Sequence, residues 1–310
     1  MSRMQNLRAV DPVLSSLAIG YSNASYIADK LFPMATVKKE AGKIPKHNKD
    51  AFKIFSTLRA IRAKSNTFSP NDRDFIDFSL EEHDLSVPMD YREEDESDDL
   101  DVEQANTFLA MEGIGLRREY AAAQLAFNPG SYAADHVEAL SSTEKWDVDG
   151  VNPLTLITHG GGVIRRGIAR RPNMAGCGAE AFDVLRNNPF ILERMASNQL
   201  GILTPQLLAQ IIGVQEVVVG DAIYTDDAGN SVDVWGDSFL LYYGRPAGPN
   251  GKRSVYEPNY GYTVAKKAVE VDKYPTEGGK VNNVRATMIY KTVLVGADAG
   301  FLISGVKTPA

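Results

Sequence analysis

Residues 157–173, Ile-Thr-His-Gly-Gly-Gly-Val-Ile-Arg-Arg-Gly-Ile-Ala-Arg-Arg-Pro-Asn, hold the residue types from which chemistry is most readily built. Consecutive glycines beside His159 and a run of arginines can cradle a phosphate or an oxyanion with backbone N–H groups. An oxyanion loop of the lipase type needs a nucleophile elbow, and no Gly-x-Ser-x-Gly pentapeptide occurs in the 310 residues. Neither a Gly-x-x-x-x-Gly-Lys-[Ser/Thr] loop nor a Gly-x-Gly-x-x-Gly turn after a strand is present, so nucleotide use has no support. His47, His83, His136 and His159 stand far apart without a His-x-x-x-His pair, which leaves them packing or polar roles rather than a local metal site. Cys177, the single cysteine, rules out an intramolecular disulfide and a cysteine-based zinc cluster, and reads as a small packed thiol in a reducing cytosol. No cofactor is expected, and no catalytic constellation is encoded.

The elements that would position these residues start from an ordinary globular balance: 44% hydrophobic and 24% charged residues, enough for a large core. No uncharged stretch reaches the ~20 apolar residues of a membrane span, and Met1 to Asn6 lack a secretory pattern. Net charge is −7, unevenly placed. From Asp29 to Lys64 there are ten Lys and Arg against three acids; from Asp72 to Glu103, fifteen acids against Arg73 and Arg92. Adjacent blocks of opposite sign point either to pairing between neighbouring chains or to two solvated surfaces. The basic block has no recognition-helix pattern for nucleic acid. The acids of 93–99 lack the D-x-[DN]-x-[DN]-G spacing of a calcium loop.

Along the chain, residues 1–42 read as an arm rich in small residues, lying extended over something else. Residues 51–61 and 74–89 carry period-2 stretches, predicting a long two-stranded ribbon with a polar tip near 66–72. A lone ribbon of that length is marginal in water and should lie against a partner. A helix is predicted over Val102–Phe127, its N-terminus favoured by the acids before it and its end set by Asn128-Pro129-Gly130. Short helices follow at Ala179–Leu185, Pro189–Met195 and Thr204–Ile212, then strands at Val214–Tyr224, Phe239–Tyr243, Tyr262–Val271, Met288–Val295 and Phe301–Val306. The sum is an α+β chain.

Several segments, taken in order, resemble the major capsid proteins of tailed bacteriophages, with the Hong Kong 97 phage capsid fold. They include Ile27-Ala28-Asp29-Lys30-Leu31-Phe32-Pro33, Phe52 through Ala60 with Val87-Pro88, Trp146 with Asn152-Pro153, and Arg171-Pro172-Asn173. They continue with Asp183 through Pro189, Thr204 through Leu208, Gly213 through Gly220, Ala222-Ile223-Tyr224, Val234-Trp235-Gly236-Asp237 and Gly300-Phe301-Leu302-Ile303. Their shared order spans residues 27 to 306. The resemblance implies an N-terminal arm (1–42), an extended two-stranded E-loop (43–92), a P domain with a long spine helix (93–177), an A domain (178–262) and P-domain return strands (263–310). It implies a self-assembling head protein, forming hexamers and pentamers of an icosahedral shell that encloses double-stranded DNA and meets it non-specifically on the inner surface, assembled in the host cytoplasm. Separate scaffolding, portal and decoration proteins are possible partners. In that scheme Lys53, Arg59, Arg62 and Lys64 of the ribbon meet Glu93, Glu94, Asp95 and Glu96 of an adjacent subunit. Deleting residues 66–86 is expected to leave a folded chain unable to close shells. An encapsulin-type nanocompartment shares the fold and stays open as an alternative, as does an unrelated α+β enzyme. In the family register Asn152-Pro153 starts a helix that ends before Arg171, which makes Gly160 to Gly162 helical despite a cost of roughly 1 kcal/mol per glycine relative to Ala.

Overall fold

Two mixed sheets share one long helix. The structure, a computed structural model, describes residues 26–46, 54, 57–67, 75–92, 99–196, 202–245 and 259–308. In chain order the first elements are α1 (Ala28–Leu31), β1 (Met34–Thr36), β2 (Ala41–Pro45), β3 (Phe75–Ser79), β4 (Glu81–Asp90) and the long helix α2 (Asp99–Ala126). A short strand β5 (Val137–Ala139) precedes α3 (Pro153–Ile168), β6 (Met174–Gly178), α4 (Ala179–Asn187), α5 (Pro189–Ala196) and α6 (Pro205–Ile212). The rest is strand: β7 (Glu216–Gly220), β8 (Ile223–Thr225), β9 (Ser231–Asp233), β10 (Phe239–Tyr242), β11 (Gly261–Ala265), β12 (Glu270–Thr276), β13 (Val281–Leu294) and β14 (Gly300–Ser304).

The first sheet is built on β13. Its first half lies between β12 and β4, its end pairs with β11, and β1 adds parallel to β11. The second sheet runs β5-β14-β10-β6-β7. Every residue of its central strand β10 is buried, and the alternation divides them between two cores: Phe239 and Leu241 face α3 to α6, Leu240 and Tyr242 face α1 and α2. At 28 residues α2 is about 42 Å long, enough to pack Ala110, Met111 and Ile114 on the first sheet and Ala122, Ala123 and Ala126 in the core of the second. Its buried stripe is narrower than the apolar spacing implies, since Leu109 remains 59% exposed.

Helix starts follow local chemistry. Asn152 Oδ1 accepts from Leu154 N–H at 3.0 Å ahead of α3, and Thr204 Oγ1 accepts from Leu207 N–H ahead of α6, each with proline at the first helical position. Asn188, nearly fully buried, accepts from Phe190 N–H to start α5 while its amide donates to the carbonyls of Trp146 and Val151. The predicted helices are therefore present, α4 and α5 within two residues of their expected ends.

Strands depart further from expectation. The ribbon partner of β3 is β2, paired from Ala41↔Ser79 to Pro45↔Phe75, and no described residue of 51–61 is in a strand. Ile44 and Phe78 become buried across that pair, whereas Ile54, Leu58 and Ile61 are covered by none of the described residues. Alternation marks a strand but does not choose its partner. The 66–86 deletion is corrected for the same reason: Glu81–Asp90 pairs with β13 over its whole length and Leu80 is buried, so that deletion would open the first sheet. Tyr262–Val271 is two strands separated by a turn at Lys266-Lys267, and Val214–Tyr224 is broken at Asp221-Ala222. Residues 26–36, predicted as part of an extended arm, pack Ile27, Ala28, Leu31, Phe32 and Ala35 into the chain's own cores; residues 1–25 lie outside the described residues.

Candidate functional site

The first candidate for chemistry is a helix. In α3, Leu154, Ile157, Val163 and Ile164 are buried and Gly160 lies on the same side, against Phe301 of β14. The N–H groups of residues 160–162 sit in the helix interior, where they bond to the carbonyls one turn back and cannot converge on an oxyanion. His159 is on the exposed side, its ring 6.0 Å from the Phe301 ring in an edge-on contact. Three described histidines remain apart: His83 packs on Tyr290 at a 31° tilt, His136 is buried with Nδ1 2.7 Å from the carbonyl of Gly300, and His159 is as above. His47 lies outside the described residues. Among the described residues no group of three His, Cys, Asp or Glu could hold a metal, and no helix is long and apolar enough to cross a membrane.

Cys177, fully buried on β6, has its thiol pushed well up by burial, with the charge of Asp221 adding to the effect. A buried thiol without thiolate character is inert. Native protein is therefore expected to resist a thiol-reactive probe at neutral pH and to take up one equivalent on unfolding; fast labelling of the native chain would show the thiol to be accessible.

Of the charged residues singled out above, the structure places Arg59, Arg62 and Lys64 on a stretch, 57–67, in which every residue is exposed. Lys53, Glu93, Glu94, Asp95 and Glu96 lie outside the described residues, so no pairing among the eight is seen within one chain. The stretch is organised by itself. The Arg59 guanidinium donates to the carbonyl of Ala63, Asn66 Nδ2 donates to that of Leu58 at 3.1 Å, and Arg62 takes a left-handed φ of 67°. Leu58 and Ile61 are 90% and 93% exposed. Aliphatic side chains standing free beside cations, on a segment shaped by its own hydrogen bonds, are what a docking surface presents.

A site invisible in the sequence lies where the chain enters the fold. Glu119, on α2, is buried and accepts from three donors: Ile27 N–H at 2.8 Å, Ala28 N–H at 2.9 Å and Trp235 Nε1 at 2.7 Å. The first two are N–H groups at the start of α1, where Ile27 offers no capping side chain; a carboxylate from another helix takes that role. Two turns back the Tyr26 hydroxyl bonds Glu112, its ring covers Gly115 one turn back, and beside Glu119 Arg118 pairs with Asp29 at 2.8 Å. Burial raises the Glu119 carboxyl above the ordinary range, the three donors and Arg118 opposing that. The arrangement ties the root of the N-terminal segment, the long helix and the 234–237 turn together. It holds structure and carries no nucleophile or proton path.

No catalytic constellation is formed among the described residues of these sites, and similarity to known proteins settles what the fold is for. Over 307 residues, 99% of this chain and 100% of the relative, the sequence is 45% identical to the major capsid protein of Burkholderia phage BcepMu. The chain belongs to the major capsid proteins of tailed bacteriophages. A second phage capsid protein, from Pseudomonas phage JBD67, is 31% identical over 231 residues, covering 71% of this chain and 69% of the relative. A crystal structure of a phage-related protein from Bordetella bronchiseptica RB50 superposes with a TM-score of 0.80 at 27% identity, covering 97% of this chain and 99% of the other. No family model matches the sequence. The fold is the Hong Kong 97-like capsid fold, and this capsid protein is a structural component of the virion. Full-length identity to a phage capsid protein favours the phage shell over the nanocompartment that shares the architecture.

Proposed function

We propose that copies of this capsid protein assemble in the host cytoplasm into hexamers and pentamers, which close an icosahedral shell around the double-stranded DNA genome, and that the chain has no enzymatic activity. The observation that carries the assembly reading is the exposed stretch 57–67, with its free aliphatics and its cations Arg59, Arg62 and Lys64. It is the tip side of an E-loop (43–92) that reaches over a neighbour from a base strand, Glu81–Asp90, built into the first sheet; an arm (1–42), rooted in the chain's own cores by residues 26–36, precedes it, and a P domain (93–177 with the return strands 263–310) that carries the A domain (178–262) follows. Many modest contacts of this kind reinforce one another, because each contact formed raises the effective concentration for the next. Scaffolding, portal and decoration proteins are separate partners in this scheme, and no membrane is involved.

Lys53, Arg59, Arg62 and Lys64 then face Glu93, Glu94, Asp95 and Glu96 of an adjacent subunit. Exposed pairs supply only ~0.2 to 1 kcal/mol each, so they set register more than affinity. Replacing Arg59, Arg62 and Lys64 by glutamate is expected to lower the yield of closed shells, most strongly at low salt, with recovery when Glu93, Glu94 and Glu96 are replaced by lysine. Shells are counted by negative-stain electron microscopy of the chain expressed alone. Unchanged assembly of the triple variant at low salt would remove the pairing, and a persistent monomer of the unaltered protein at high concentration would remove the shell itself.

A further inference from the structure

Where β4 and β13 run beneath the long helix they leave a cavity. Its walls come from the start of β4, the end of β13 and the 117–125 stretch of α2, and its volume is about 360 Å³. A single water needs only roughly 10 to 15 Å³ of such space, so the end of a side chain or a small molecule has room there. Tyr120, Ala121 and Leu125 make much of the wall apolar.

The polar groups around it are chiefly donors without an acceptor. Glu81 and Lys291 satisfy one another as an ion pair. His83 packs on the Tyr290 ring and is neutral at neutral pH: burial lowers its titration, Arg117 and Lys291 add to that, and Glu81, 4.0 Å away, opposes it. Tyr290 is 2% exposed, and its hydroxyl and that of Thr292, two residues on along the same face of β13, are buried with no hydrogen-bond partner among the described residues. Burial raises the Tyr290 phenol above its ordinary value, which keeps it protonated as a donor. Arg117 makes no ion pair among the described residues, and its guanidinium lies 5.9 Å from the centre of the Tyr120 ring.

Buried hydroxyls are almost always hydrogen-bonded, so two of them beside a free guanidinium specify their acceptor by its chemistry. With Glu81 cancelling Lys291 and His83 neutral, one positive charge is left over, and a single carboxylate matches it with two oxygens in one plane. The nearest acids of α2 are committed elsewhere: Glu112 accepts from Tyr26, and Glu119 accepts from its three donors.

We propose that this cavity is a binding site for one carboxylate group on an aliphatic stem, with Arg117 holding the charge and the Tyr290 and Thr292 hydroxyls as further donors. A small free carboxylate and the acidic side chain of a second copy carry the same group. The second source rests on the assembly reading; the first does not.

The test titrates propionate into the full-length chain, kept unassembled by dilution. Calorimetry is expected to show saturable binding, and the titration midpoint of His83, followed by NMR, to rise with propionate bound, since a negative charge nearby favours the imidazolium. R117Q should weaken binding about tenfold or more, and R117K should keep part of it. Y290F removes a hydroxyl that has no partner in the subunit, so it should weaken binding several-fold without lowering the thermal midpoint. Absence of saturable binding overturns the proposal, as does equal affinity of R117Q and the unaltered chain. A Y290F subunit that melts at a lower temperature overturns it too, because the hydroxyl is then already bonded within the fold. Electron microscopy of shells separates the two sources. If a second copy supplies the group, propionate lowers the yield of closed shells, and R117Q lowers it without propionate. Shells that form equally well in both cases, from a chain that binds propionate, assign the site to a free carboxylate. An unaltered chain that binds propionate and forms no shells upholds the site and removes the assembly reading.

Discussion

Glu119→Ala is expected to destabilise the unassembled subunit by about 3 to 5 kcal/mol, the largest effect of any single side chain removed from α2. The carboxylate satisfies Ile27 N–H, Ala28 N–H and Trp235 Nε1 at once, in a site with no exposed surface. A buried donor left without a partner costs roughly 1 to 3 kcal/mol, and water entering the truncated site recovers part of that. Glu119→Gln keeps one acceptor oxygen but turns an amide N–H toward one of the three donors, so a loss of about 1 to 3 kcal/mol follows. Urea midpoints report both losses, and a red shift of Trp235 fluorescence localises them. An alanine variant within about 0.5 kcal/mol of the unaltered chain would mean that the three donors find other partners. The pH dependence has a definite sign. Because burial holds the Glu119 carboxyl above its ordinary value, its contribution is fully present below the unfolded-state value and is lost as pH rises through the raised one. The glutamine variant should lack that part of the profile.

The consequence for assembly follows from where Glu119 sits. It fixes the turn at residues 27–31 on the long helix, and Trp235 brings in the turn after β9. Loosening it changes how this turn sits on the long helix, so the variant should lose shell closure at temperatures where the subunit is still folded. Residues 112, 115, 118 and 119 of α2 all contact this root, so the coupling is to one face of one helix and not to a single bond.

What the sequence could and could not reveal divides along contact range. Helix starts rest on neighbours two or three residues away, so Asn152-Pro153 and Thr204-Pro205 were readable as caps. Strand pairing rests on residues far away, and there the reading failed in particular ways. Met-Ala-Gly-Cys-Gly of β6 has little strand propensity; it is a strand because β10 and β7 supply its partners and two cores bury it. The 51–61 segment alternates as a strand should, yet β3 is paired by Ala41–Pro45, whose Ile44 completes a buried cluster with Phe78 and Val264. Glu119 was hidden for the same reason. An acid between Leu116 and Ala122 on a helix reads as solvated, and the donors that make it a buried hub lie 92, 91 and 116 residues away. The family signal survived because it was carried by local pieces in a fixed order. Asn188, which both starts α5 and bridges to Trp146, shows why such a piece is retained as a unit.

The three glycines of α3 separate by environment, and the largest expected effect there falls on one of them. A methyl group at Gly160 would sit 2.4 Å from Phe301 Cδ1, with two more ring atoms within 2.9 Å, and Phe301 is 1% exposed on a strand paired at both edges. The ring cannot move outward, so Gly160→Ala is expected to cost about 2 to 3 kcal/mol, the upper part of the range for overpacking, despite the better helix propensity of alanine. At Gly161 the same methyl would meet Pro172 at 3.7 Å, an ordinary contact, and at Gly162 only Arg166 Nη1 at 3.7 Å. Both positions are helical without strain, so Gly161→Ala and Gly162→Ala should each gain roughly 0.5 to 1 kcal/mol. Thermal midpoints of the three variants should therefore move in opposite directions, down for residue 160 and up for its two neighbours. Pairing Gly160→Ala with Phe301→Leu should recover part of the loss, because the two substitutions act on one contact and are not additive. A Gly160→Ala protein as stable as the unaltered chain, or a Gly161→Ala protein that fails to fold, would contradict the helix packing on which the reassignment of the His159 stretch depends.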